Sequence, residues 1–148
     1  MTDTTKSAVP WHLWAVGGLG VLWNGYGAYD YVMSHSDGAA AYMAGMGMTA
    51  AQIAFGETMP AWTSAPWALG VWGGLLGAVL LLLRMKWAFH AFVVSLLGLL
   101  VSLVYAYGLS DAAAVMGTTG MIMNAVVLIG CLFFVWYSRM AMKNGILR

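Results

Sequence analysis

Gly17-Gly18-Leu19-Gly20-Val21-Leu22-Trp23-Asn24-Gly25-Tyr26-Gly27-Ala28-Tyr29-Asp30-Tyr31 is apolar enough to enter a bilayer, yet it carries an amide at its middle and a carboxylate near one end. Gly17, Gly20, Asn24, Gly27 and Tyr31 step by three, four, three and four, which lines them up as one narrow seam along a helix. Small residues let helices approach closely, and an amide in hydrocarbon needs a partner, so this seam is built to lie against other helices.

The rest of the chain supports a membrane setting. Of 148 residues, 62% are hydrophobic and 7% charged, too little polar surface to coat a water-soluble globule of this size. One domain is expected, covered by lipid. A net charge of +1 argues against nucleic-acid binding. The single Cys131 lies in an apolar run and has no second cysteine to pair with. The first apolar run is too long for a cleaved signal, and no C-terminal lipidation box is present, so neither processing event is expected.

Four runs are long enough to span: residues 11–33, 65–83, 87–107 and 117–138. Pro10 opens the first, and Ser64 with Pro66 opens the second as N-cap and first-turn proline. Arg84-Met85-Lys86 alone separates the second from the third, which makes those two antiparallel neighbours. The fold expected is an all-α, four-helix antiparallel transmembrane bundle. Residues 34–64 form an outer loop with short interfacial helices, one from Asp37 to the Gly45-Met46-Gly47 stop and one capped by Thr49-Ala50-Ala51-Gln52.

Lys6, Arg84, Lys86, Arg139, Lys143 and Arg148 all fall in the N-terminus, the second connection or the C-terminus, which places both termini in the cytoplasm. Asp30, Asp37, Glu57 and Asp111 lie toward the other side. Tryptophans and tyrosines sit at both boundaries, Trp11, Trp14, Trp87 and Trp136 inside and Trp62, Trp67, Tyr105 and Tyr107 outside. The halves also look alike: Tyr29-Asp30-Tyr31 followed by Ser36-Asp37 is echoed by Tyr105-Ala106-Tyr107 followed by Ser110-Asp111, as a duplicated hairpin would be. Chance matches in a chain rich in Ala, Met and Tyr are the competing explanation.

Packing seams recur in every span. Gly70, Gly73, Gly74 and Gly77 mark the second, Ser95, Gly98 and Ser102 the third, and Gly120, Asn124 and Cys131 the fourth. The seams are expected inward, with Leu, Val and Phe toward lipid. Asn24 and Asn124 are the mid-membrane amides, able to bind a hydroxylated solute or to join helices. Trp23 and Trp72 lie deep enough to stack on a sugar ring or to fill the bundle. Asp30, with Tyr26 one turn away, is either a ligand or proton site or an interfacial acid bonded to a nearby aromatic. His12 and His90 sit near the inner boundary, where solvation is the plain reading.

Met43, Met46 and Met48 suit Cu(I) by chemistry, but flexible packing explains methionines as well, and no metal or cofactor is expected. No Ser/His/Asp set, Cys pair, HExxH or glycine loop before a Lys occurs, and an enzyme is not expected.

Trp23-Asn24, Gly27-Ala28-Tyr29-Asp30-Tyr31, Pro60-Ala61-Trp62 and Ala68-Leu69-Gly70-Val71-Trp72-Gly73-Gly74-Leu75-Leu76-Gly77 together resemble a group of small, mostly uncharacterised bacterial inner-membrane proteins, some of them labelled sugar transporters. The resemblance implies a four-span bacterial membrane protein and brings no established site residues. Two functions follow as expectations. One is a sugar-like solute transport or binding component acting as a homo-oligomer. The other is a non-catalytic accessory or assembly subunit of a larger membrane complex.

Overall fold

The computed structural model describes residues 8–148, so Lys6 lies outside the described residues. Those residues form helices and turns, with no strand among them. The chain runs α1 (Trp11–Ser34), α2 (Ala39–Gly45), α3 (Ala50–Glu57), a 3-10 turn (Ala61–Thr63), α4 (Ser64–Leu82), α5 (Trp87–Val104), a widened π turn (Tyr105–Leu109) and α6 (Ala112–Lys143). Three segments are long and apolar enough to cross a membrane, Ala61–Leu82, Trp87–Leu109 and Ala112–Lys143, with 18-residue stretches of mean hydropathy 1.8, 2.2 and 2.1. Helix α1 has 24 residues, about 36 Å at the helical rise, but His12, Asn24 and Asp30 make it the least apolar of the long helices.

Helix α4 is the hub. Its glycines serve two neighbours, because α1 lies along one side and α5 along the other. The α1 seam faces α4: Gly17 rests against the Leu82 side chain, and a Cβ on Gly27 would stand 3.4 Å from Val71. Helix α5 comes closer still. A Cβ on Gly98 would stand only 2.6 Å from the Pro66 carbonyl oxygen, so the backbones touch there. Helix α6 then packs on α5.

The half nearer the Arg84–Lys86 turn, the inner one in the topology expected from the charges, is tightly filled. Leu13, Ala78, Leu81, Ala88, Phe92, Phe134, Tyr137 and Ala141 form a buried cluster drawn from all four long helices. Phe92 and Phe134 stack with centroids 5.1 Å apart and planes 13° from parallel. The expectation that phenylalanines face lipid is therefore corrected for these two. The glycines at positions 20 and 77 leave ring-sized space, and Phe134 and Phe92 fill it.

This end is also stitched by the chain's last residues. Gly145 ends α6 with φ 70, Leu147 is buried, and the Arg148 N–H donates to the Arg84 carbonyl at 2.7 Å. The Lys86 N–H returns a bond to the Arg148 carbonyl at 3.0 Å, and Arg84 Nε donates to the Ile146 carbonyl at 3.1 Å. Arg84 is the one non-glycine at positive φ (61) among the described residues. It occupies the left-handed position after α4 while Met85 N–H bonds Leu80 O, a helix end usually given to glycine.

Helix boundaries depart from expectation in three places. Ser64 does not cap α4: the 3-10 turn ahead already gives it helical angles, and its hydroxyl pairs with His35 Nε2 at 3.1 Å. The third span loses regular helix at Tyr105, where the π turn begins and the freed Tyr105 carbonyl accepts from Ser110 Oγ at 3.0 Å. The fourth is longer at both ends, with Gly117 at φ 62 and ψ −157 as a sharp break near its start.

The outer end is spanned by α2 and α3. Thr49 and Gln52 make the reciprocal capping box read from the sequence, at 3.2 and 3.0 Å. Tyr42 OH donates to Asp30 at 2.9 Å, fixing α2 to α1, and Gln52 Nε2 donates to the Val115 carbonyl at 3.2 Å, fixing α3 to α6. The loop thus bridges the first long helix to the last.

Candidate functional site

Polar and small residues of all four long helices converge midway along them. Asn24 stands on the α1 seam, and its Nδ2 donates to the Gly20 carbonyl one turn back at 2.8 Å. Its Oδ1 rests directly on Gly74 of α4, where any side chain would displace it. From α5, Ser95 is buried, donates its hydroxyl to the Gly70 carbonyl at 2.5 Å, and would stand 3.2 Å from a Gly74 Cβ. Cys131 of α6 lies close to the same hydroxyl. Each long helix gives one residue to this layer: Asn24, Gly74, Ser95 and Cys131.

Amide, hydroxyl and thiol can exchange hydrogen bonds with one another or with a hydroxylated guest. Such groups can hold helices together or bind a polar guest. Asn24 bonds back into its own helix at Gly20, whereas Ser95 of α5 bonds across to the Gly70 carbonyl of α4, so backbone carbonyls satisfy both.

The other residues singled out in the sequence do not join this layer. Trp23 is 41% exposed and lies over α6, its indole nitrogen 3.8 Å from where a Gly130 Cβ would be. Trp72 points the opposite way, onto an open face between α4 and α5. Asn124 reaches Tyr107 OH at 3.4 Å, toward the outer end of α5. Asp30 is held by Tyr42, a partner from α2 rather than its helical neighbour Tyr26, which instead points its hydroxyl at the Met46 sulfur at 3.9 Å.

The sequence places Ser95 and Cys131 alike on packing seams and marks neither as part of a polar layer. The step of three and four that put both on inward seams was the available signal. Nothing in the spacing marked Tyr42 as the partner of Asp30, because a loop helix brings it back. Desolvation, followed by the hydrogen bond and charge of Asp30, pushes the Tyr42 phenol up to about 12.

Two histidines sit at opposite ends. His12 Nδ1 and Tyr137 OH share a 2.5 Å hydrogen bond that ties α1 to α6 at the inner end. His35 Nδ1 donates to the Tyr31 carbonyl at 2.8 Å while its ring stacks on Tyr31 at 4.2 Å. Among the described residues no group of three or more His, Cys, Asp or Glu side chains could hold a metal ion.

Searches against protein-family models, curated proteins and solved structures return no match to this chain.

Proposed function

We propose that the chain crosses a bacterial inner membrane four times, α1 included, with both ends in the cytoplasm, and serves as a non-catalytic helix-packing subunit of a larger membrane assembly. One observation carries this reading: Asn24, Asn124, Trp23, Trp72 and Asp30 point to different places, and the polar ones are taken up by the protein itself. Backbone-close contacts at Gly73 and Gly98, with the Asn24 amide seated on Gly74, leave the space between α1, α4 and α5 to the protein's own atoms rather than to a solute. Long helices with large apolar side chains outward, such as Leu22, Ile122 and Ile129, offer surface that lipid or another subunit's helices can cover.

A second reading keeps the solute role, with several copies forming a pathway. The Asn24–Ser95–Cys131 layer favours it, since amide and hydroxyl groups suit a sugar-like guest.

Gentle detergent extraction followed by native mass measurement of the whole particle separates the two. A second protein at fixed stoichiometry is the expected result. A particle made only of this chain, with solute uptake in reconstituted vesicles lost in Asn24→Ala, would establish the second reading against the first.

A further inference from the structure

The face that Trp72 looks onto is a groove of about 940 Å³ between α4 and α5, on the side away from α1. Leu69, Trp72 and Leu76 wall it from α4, Trp87, His90 and Val94 from α5, and Gly73 against Ala91 makes its floor. The walls are apolar except for the His90 ring.

Two features restrict what can lie in it. The α5 wall runs only from Trp87 to Val94, about 12 Å along the helix axis, while the α4 wall continues to Ala65. Both walls are therefore present over about one leaflet of a core about 30 Å thick, and the remainder is one-sided. At one end the groove reaches the turn between α4 and α5, where Met85 and Trp87 line it on either side of Lys86. A partner transmembrane helix would be expected to use both leaflets. A lipid chain of the leaflet on the Arg84–Lys86 side uses one.

We propose that this groove is a binding site for one anionic phospholipid. Its acyl chains lie on Gly73 and Ala91 beneath Trp72, and its phosphate sits at the mouth beside Lys86, with Trp87 and His90 at the glycerol level. The exposed Lys86 ammonium complements the headgroup charge, and Trp87, 65% exposed, supplies the amphipathic ring that favours this depth. Basic residues at the cytoplasmic end of a cleft between spanning helices suit acidic headgroups. The site needs α4 and α5 to lie in a bilayer, and it does not depend on whether the chain has a protein partner.

The test is native mass spectrometry of the delipidated full chain titrated with phosphatidylglycerol or with phosphatidylcholine. One phosphatidylglycerol should be retained at least five-fold more strongly than phosphatidylcholine. Lys86→Gln should remove most of that preference, about five-fold for one juxtamembrane charge. Val94→Trp, which fills the groove from an exposed position, should weaken both lipids, whereas Ile129→Trp on the far face of α6 should change neither.

Equal retention of the two lipids would overturn the proposal, as would retention that Val94→Trp leaves untouched. A protein chain found cross-linked at Val94 in place of lipid would overturn it too. Those outcomes are independent of the particle's subunit composition, so the site and the proposed assembly role fail separately.

Discussion

At residue scale the account turns on Asn24 and Gly74. The amide oxygen of Asn24 occupies the space that a side chain at Gly74 would need, so the two positions are coupled through one volume. Gly74→Ala should cost about 1–3 kcal/mol in reversible unfolding, the usual penalty of overfilling a packed contact. Asn24→Ala combined with Gly74→Ala should recover a large part of it, and simple additivity in that double-mutant cycle would mean that the residues do not touch. Tyr42 offers a second residue-scale check. Its folded-state pKa is raised from 10.0 to about 12, so the neutral phenol is the form that the fold favours. The stabilisation of α2 on α1 is therefore fully present below pH 10 and is lost as pH climbs toward 12. Ultraviolet titration of tyrosinate should show a late-titrating phenol that Tyr42→Phe removes. A titration unchanged in that variant would place the late group elsewhere.

At the scale of elements, the long helices were legible because their seams repeat every three or four residues, and the α3 cap was legible because Thr49 and Gln52 carry a local signature. Three features were hidden, each for a physical reason. Ser64 reads as a cap, but the turn before it had already begun the helix. Tyr42 finds Asp30 only because the loop folds back across α1. The pairing of Arg148 with Arg84 and Lys86 uses backbone groups, which carry no side-chain signature, and a chain end is ordinarily expected to fray. Leu147 makes that last point measurable. It is 1% exposed, and Leu147→Ala should lower stability by about 2–5 kcal/mol, far beyond the effect expected of a frayed end. Gly117 belongs to this scale as well. Its φ of 62 with ψ of −157 is open almost only to glycine, so Gly117→Ala should cost about 1–3 kcal/mol and loosen the Gln52–Val115 contact, seen as faster amide exchange across α3.

At the scale of the whole molecule, the inner half is a packed core closed by the Arg84–Arg148 stitch, and the outer half is bridged by a loop tied at Asp30 and Val115. Which residues line each helix's inner face could be read from the sequence in large part. That the polar residues would not share one cavity could not, because seam spacing gives a face along one helix and not the rotation of one helix against another. The same limit explains Trp72, whose depth was readable and whose outward direction was not.

The central claim is that α1 crosses the bilayer beside α4, so that the connection at Lys86 and the end of α6 at Lys143 share the cytoplasmic side while the α2–α3 loop lies opposite. Single cysteines at positions 37, 58, 86 and 143 in a Cys131→Ser background, labelled with a membrane-impermeant maleimide on intact and on inverted vesicles, test this directly. Positions 86 and 143 should react only from the cytoplasmic side and positions 37 and 58 only from the other. Labelling of positions 37 and 143 from the same side, or of 86 and 143 from opposite sides, would contradict the account.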